Sequence, residues 1–278
     1  MFGFLNIYKP RGMTSHDVIY RVRKILNIKK AGHAGTLDPA AEGVLPVAVG
    51  GATRLIDYLP SEKEYIADIK FGYISDTFDS EGKIEKFSDI KIQKNELEKA
   101  LQSFKGEISQ KPPVYSAVKV NGKKLYDYAR KGIETEIPER IIRVDDIKLT
   151  DFNENENTAK ILVRCSKGTY IRSIVNDLGI MLKSGAYMTG LVRTLSSGMS
   201  AENSVNIENL NENCIISPND ILKFPLYEIT SDDYNRVKNG NPIKTCKNNG
   251  LIFIVYNGRI ISLAEIREGV AYSAKVFL

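Results

Sequence analysis

The chain is poor in the residues that bind metals and cross-link folds. Its 278 residues include three cysteines, Cys165, Cys214 and Cys246, far apart and in no C-x-x-C pair. That argues against a disulfide framework or a cysteine zinc site. The only histidines, His16 and His33, are not spaced as a metal-binding pair on one helix face, which disfavours histidine-based metal catalysis. Long apolar runs are missing too: stretches such as Gly43 to Gly51 and Leu251 to Tyr256 fall well short of the roughly 20 residues a spanning helix needs. Met1 to Lys9 lacks the basic start and long apolar core of a signal peptide. The expected location is the reducing cytoplasm, and any chemistry has to rest on carboxylates, tyrosines and basic groups.

What is present suits a folded protein. Hydrophobic residues at 42% and charged residues at 26% are near the globular average, which disfavours disorder and fibrous repeats. The length fits one large domain with a small appendix. A net charge of +5 permits an anionic partner without requiring one. Its distribution is more informative: residues 1–60 carry eight Lys/Arg and four Asp/Glu, residues 105–131 carry seven and two, and the remainder sums to −4. The two basic blocks also hold Tyr8, Tyr20, Tyr58, Tyr115, Tyr126 and Tyr128. Such a mixture suits phosphate contacts and base stacking, although a solvated face with half-buried tyrosines would look the same.

Patterning predicts a strand over Phe2 to Tyr8, then a helix capped by Thr14 or Ser15 with Val18, Ile19, Val22, Ile25 and Leu26 on one stripe. Residues 31–43 read as a Gly/Ala-rich loop, Val44 to Val49 as a strand, and Ala52 to Leu59 as a helix ending before Pro60. Tyr65 to Tyr73 alternates as a strand, and Asp76 to Gly82 is an acidic turn. Leu97, Ala100, Leu101 and Phe104 mark a helix, Val114 to Val120 reads as a strand, Asn121-Gly122 as a turn, and Leu125 to Arg130 as helical. Ile141 to Leu149 and Ala159 to Cys165 read as strands joined by the acidic loop Asp151 to Asn157, followed by a helix over Tyr170 to Leu182 and a strand over Met188 to Leu195. Without a steady βαβ rhythm, this order predicts an α+β domain around an antiparallel or mixed sheet. Ser217 to Pro225 reads as a linker. Beyond it, Leu251 to Tyr256, Arg259 to Ile266 and Ala274 to Leu278 predict a small β domain. The expected domains are therefore 1–224 and 225–278.

The most unusual segment is Ala31-Gly-His-Ala-Gly-Thr-Leu-Asp-Pro-Ala-Ala-Glu-Gly43. Its glycines allow close backbone approach, and Pro39 keeps Asp38 out of the helical region. One His and one Asp would then project from a rigid loop, although Asp before Pro is also an ordinary turn residue. This loop resembles the catalytic loop of the tRNA pseudouridine synthase B (TruB) family, and further blocks resemble that family in order along the chain. They are Lys9-Pro-Arg-Gly-Met-Thr-Ser15, Lys63-Glu-Tyr65, Ser75-Asp-Thr-Phe-Asp-Ser-Glu-Gly82, Pro112-Pro-Val-Tyr-Ser-Ala-Val-Lys119 with Leu125-Tyr-Asp-Tyr-Ala-Arg130, Cys165-Ser-Lys-Gly-Thr-Tyr-Ile-Arg172 and Leu191-Val-Arg-Thr-Leu195.

The resemblance implies a pseudouridine-synthase catalytic domain with a mixed, largely antiparallel sheet flanked by helices, and a small C-terminal β-rich PUA-like domain. The weaker match of that last part rests on Asn239-Gly-Asn-Pro-Ile243 and Ile260-Ile-Ser-Leu-Ala-Glu265. It implies isomerisation of uridine to pseudouridine at position 55 in the T-stem-loop of tRNA, by a cytoplasmic monomer with no obligatory protein partner. Breaking C1′–N1 and rejoining C1′ to C5 changes no oxidation state, so one carboxylate suffices without metal or organic cofactor. By the resemblance Asp38 is the essential aspartate. Attack on the sugar, attack on the base and removal of a sugar proton all remain compatible with the motif. Arg172 is implied as its ion-pair partner, and Tyr65 as the ring that stacks on the target base and a candidate for proton transfer from C5. His33 is implied to fill the space left by the flipped nucleotide, which costs a few kcal/mol to unstack. Tyr170 and Leu191 are implied as pocket walls, while Lys9 and Arg11 either support the loop or contact RNA. Two other readings stand beside this one: a tRNA-binding or tRNA-folding protein independent of catalysis, and a carboxylate-based glycosidase, which needs two carboxylates at a controlled separation and for which Asp76 and Asp79 are available.

Overall fold

A computed structural model describes residues 1–116, 118–120, 122–125, 128, 133 and 135–277. The strands are β1 (Gly3–Lys9), β2 (Ala31–His33), β3 (Glu42–Val49), β4 (Lys63–Phe71), β5 (Tyr73–Ser75), β6 (Ile84–Lys86), β7 (Gly106–Gln110), β8 (Lys119–Val120), β9 (Lys123–Lys124), β10 (Arg140–Asn153), β11 (Thr158–Cys165), β12 (Ala186–Ser196), β13 (Met199–Ser200) and β14 (Val205–Asn206). A C-terminal set follows: β15 (Leu226–Glu228), β16 (Ile243–Lys244), β17 (Gly250–Tyr256), β18 (Arg259–Arg267) and β19 (Val270–Val276). The helices are α1 (Ser15–Ile25), α2 (Lys94–Gln102), α3 (Ile171–Met181), α4 (Pro218–Leu222) and α5 (Ser231–Lys238), with a 3-10 helix over Gly50–Tyr58.

The main sheet runs β14-β1-β3-β12-β4-β11-β10-β7. Most neighbours are antiparallel, but β3 and β12 pair in parallel through only Val192↔Glu42 and Arg193↔Gly43. Alternation drives the right half: Tyr65, Ala67, Ile69 and Phe71 of β4 face inward with Ile161 and Val163 of β11, under the apolar stripes of α2 and α3. In the left half, Val18, Ile19 and Val22 of α1 cover Leu5, Ile7, Leu45 and Val47 of β1 and β3. On the opposite face Phe4, Val44, Ala48 and Leu55 pack with Phe253 and Leu263 of the second sheet, ordered β15-β17-β18-β19-β16. The two sheets thus share a hydrophobic seam rather than a free linker.

The expected α+β architecture with a β-rich C-terminal part is what the chain adopts. Some elements differ. The loop predicted over 31–43 begins with β2, which pairs Ala31 with Val49 and His33 with Val47. The helix expected at Ala52 to Leu59 is 3-10. Among the described residues of Val114 to Val120, Ser116 N–H donates to the Val114 carbonyl at 3.0 Å, a turn too tight for extended backbone, and only Lys119–Val120 pairs as a strand. The linker contains α4, and α5 is an element the pattern did not predict. Asn121 of the predicted turn, and Tyr126, Asp127, Ala129 and Arg130 of the predicted helix, lie outside the described residues, as does Leu278. No helix among the described residues is long and apolar enough to cross a membrane.

Candidate active site

The loop carrying Asp38 enters the sheet at the short parallel junction of β3 and β12, and side chains from elsewhere tie it residue by residue. Ser15 at the start of α1 accepts from Leu37 N–H at 2.9 Å and donates to its carbonyl at 3.1 Å. Gly12 N–H donates to the Pro39 carbonyl at 2.8 Å. The Lys9 amine, fully buried, donates to the carbonyls of Met13 at 2.6 Å, Pro10 at 3.0 Å and Pro39 at 3.4 Å. The segment Lys9-Pro-Arg-Gly-Met-Thr-Ser15 therefore clamps both neighbours of Asp38. Burial lowers the Lys9 amine to about 8, opposed by the charges of Asp38 and Glu42.

From the far side, Arg193 of β12 reaches under the loop, fully buried. Nε donates to Val44 O at 2.7 Å, Nη1 to Thr36 O at 3.3 Å and Nη2 to Gly35 O at 3.2 Å. Gly43 explains how β12 comes so close: its φ is +107° and a β carbon there would strike the Arg193 backbone.

Asp38 meets Arg172 at the start of α3, Oδ2 to Nη2 at 2.9 Å, while Nη1 of the same guanidinium holds Asp79 at 3.0 Å. Nη1 also donates to Thr77 O and Nη2 to Tyr115 O, at 3.2 and 3.1 Å. One fork thus serves two carboxylates and two carbonyls, a geometry lysine cannot reproduce. Arg172 and Asp79 are 7% and 4% exposed, whereas Asp38 is 39% exposed. The pair at the back is fixed and the carboxylate at the front is accessible. Asp79 is itself oriented by Thr77 Oγ1 at 2.7 Å and Glu81 N–H at 3.0 Å. Burial and the negative charges of Asp79 and Asp38 raise the Glu81 carboxyl above its usual value.

Asp38 opens onto a cavity of about 240 Å³ whose walls include Tyr65, Tyr170, Leu191 and Arg172. Tyr65 forms a buried wall, and desolvation raises its phenol above the ordinary value. Tyr170 is set by a reciprocal pair with buried Gln110: Tyr170 N–H donates to Oε1 at 2.8 Å and Nε2 donates to Tyr170 O at 3.0 Å. Five residues singled out from sequence thus converge here: Asp38, Tyr65, Tyr170, Arg172 and Leu191. His33 and Lys9 do not line the cavity. His33 ends β2, and burial, helped by Arg193, holds its imidazole below the ordinary pKa. Lys9 lies beneath the loop with its amine enclosed by the carbonyls of Pro10, Met13 and Pro39. Asp76 is turned away, accepting from Lys83 N–H at 2.8 Å. Sequence reasoning passed over Arg193, Gln110 and the loop contact of Ser15, because their partners are backbone groups that leave no mark in a motif. Among the described residues no cluster of His, Cys, Asp or Glu could hold a metal ion.

The pattern has known counterparts. Residues 23–171 match the family model described as TruB family pseudouridylate synthase (N terminal domain). A protein named tRNA pseudouridine synthase B from Carboxydothermus hydrogenoformans is 45% identical, covering all of this chain and 99% of that one. A protein of the same name from Clostridium tetani is 42% identical over 97% of each. Among solved structures, a Cbf5-Nop10-Gar1 complex contains a chain that superposes with a TM-score of 0.71 and 26% identity, covering all of this chain and 85% of that one. A chain of an H/ACA RNP bound to a substrate RNA containing 2′-deoxyuridine shares the fold, with a TM-score of 0.70, 24% identity and the same coverage.

Proposed function

Because the chain belongs to the TruB family of pseudouridylate synthases, we propose that it isomerises uridine 55 in the T-stem-loop of tRNA to pseudouridine, with Asp38 as the catalytic carboxylate. One observation carries the assignment: Asp38 is the exposed end of an otherwise buried Asp79–Arg172–Asp38 chain, and it faces a cavity large enough for a single base. Uridine in a folded loop must leave its stack to reach it, at a cost of a few kcal/mol. Once the base is inside, the guanidinium holds the Asp38 carboxylate in place through its charge-assisted bond. The reaction breaks C1′–N1, turns the base, forms C1′–C5, and moves one proton from C5 to N1, so nothing is consumed. Tyr65 supplies the stacking wall, with its hydroxyl a candidate for the C5 proton transfer. Tyr170 and Leu191 close the sides, Lys9 holds the loop, and His33, at the end of β2, is the residue we assign to fill the space left by the flipped nucleotide.

We assign residues 1–224 to catalysis and 225–278 to a PUA-like RNA-binding domain, and read the protein as a monomer acting on cytoplasmic tRNA without an obligatory partner. These roles are the same whether Asp38 attacks the sugar, attacks the base or removes a sugar proton. Release of tritium from tRNA labelled at uridine C5 measures the reaction. Asp38→Asn should bind tRNA with near-normal affinity and release no tritium; undiminished release would sink the role of Asp38. Should that inactive variant still rescue misfolded tRNA, a second activity, tRNA refolding, would stand beside catalysis.

A further inference from the structure

Lys63 opens β4 two residues before Tyr65, so the strand period places both on one face, and both line the cavity. Glu64 points to the other face, where it accepts from Arg164 and, at 2.8 Å, from Thr194 Oγ1. The Lys63 amine has no such partner: among the described residues no carboxylate or carbonyl bonds to it, and the groups that act on it are Arg193, Cys165 and Lys167. Burial, and then the neighbouring Arg193 charge, lower it to about 8. A β carbon at Gly35 would sit 3.1 Å from Lys63 Nζ and 3.7 Å from Arg193 Nη1, so both cations lie over the Gly35 backbone. Three of the five Arg193 N–H donors already serve the carbonyls of Gly35, Thr36 and Val44. Lys63 has three donors left.

The same side chain also borders a neighbouring recess, with Gly35, Lys167 and Asp57 on its walls. It therefore stands on the partition between the cavity and this recess, at one edge of the cavity's mouth. An unpaired ammonium beside two further cations calls for a full negative charge, which a neutral uracil carbonyl does not supply. We propose that Lys63 binds a phosphodiester of the substrate RNA adjoining the nucleotide held in the cavity, on the Gly35 side. The proposal rests on reading the cavity as the target-nucleotide site.

The test is a cycle between protein and RNA. T-arm RNAs are made with a neutral methylphosphonate at each phosphate flanking the target uridine in turn, and their binding to wild-type protein, Lys63→Met, Lys63→Gln and Lys63→Arg is measured with pseudouridine yield in the same samples. For wild type, one methylphosphonate position should weaken binding about tenfold. Lys63→Met should bind unmodified RNA about tenfold more weakly, lose nothing further at that position, and show a log–log salt slope smaller by about one. Lys63→Arg should recover most of the affinity. Equal methylphosphonate penalties in wild type and both neutral variants, at every position, would overturn the proposal. Either neutral variant suffices, so a folding defect in one leaves the other decisive. Absence of any pseudouridine from wild type on unmodified RNA would instead overturn the reading of the cavity; normal yield with equal penalties would overturn the role of Lys63 alone.

Discussion

Arg193 shows how much of a site can rest on a side chain that never faces the substrate. Its three bonds go to carbonyls on both sides of the Asp38 loop, so Arg193→Lys keeps a positive charge and loses the fork. The expected result is a fall in kcat of about 10²-fold with little change in KM, since a carboxylate displaced by about 1 Å still lets RNA bind; single-turnover rates alongside tRNA affinity check this. Tyr65→Phe separates wall from hydroxyl. It should retain affinity and lose activity by roughly 10²-fold or more, the usual span of one proton-transfer group, whereas Tyr65→Phe with full tritium release would confine Tyr65 to stacking. Asp38, Tyr65 and Arg172 were legible in the sequence because each sits in a short block of distinctive residues. Arg193 lay in such a block as well, but its bonds to the carbonyls of Gly35, Thr36 and Val44 go to main-chain atoms, which name no partner that a sequence can display.

At the scale of elements, α1 does two jobs with adjacent residues. Thr14 caps it through a reciprocal box with Asp17, Thr14 Oγ1 accepting from Asp17 N–H at 3.1 Å and Asp17 Oδ2 from Thr14 N–H at 3.0 Å. Ser15 turns away to hold Leu37. Thr14→Ala should cost about 1 kcal/mol in denaturant unfolding and spare activity. Ser15→Ala should cost about 1–3 kcal/mol, because buried Leu37 N–H and C=O lose their partner, and should lower kcat more than KM; the contrast between these neighbouring variants is the measurement. Periodicity exposed the elements with one buried face, such as β4, β10, β11 and α3. It missed β2, three residues beginning with Ala and Gly, and α5, where only Val237 is buried and no apolar stripe exists. It gave Val114 to Val120 a strand because the composition is right, yet a strand also needs a neighbour to pair with, and that is a tertiary fact.

For the whole molecule, the weak net charge of +5 conceals basic segments, and a ligand that follows a phosphate backbone responds to these local cations. Affinity for tRNA should fall linearly with salt on logarithmic axes, each neutralised phosphate contributing about 0.7–0.9 to the slope; a flat affinity between low and moderate salt would count against an electrostatic RNA surface. The fold class was legible in the mixed order of elements, whereas the strand order was not. Nothing local announces that β12 will lie between β3 and β4, and that placement creates the junction on which the cavity sits. It also has a bearing on how the chain matures. The loop around Asp38 is held by a residue made some 150 positions later, Arg193 bonding to Val44 across 149 residues and to Gly35 across 158. A nascent chain that has already released α1, β1 and β3 from the ribosome holds the loop from the Lys9–Ser15 side alone, and the arrival of β12 fastens it from the other. Full fastening of the Asp38 loop is thereby tied to the arrival of β12, so a chain that stops short of it presents a loop held from one side only to the tRNAs gathered around the ribosome that is making it.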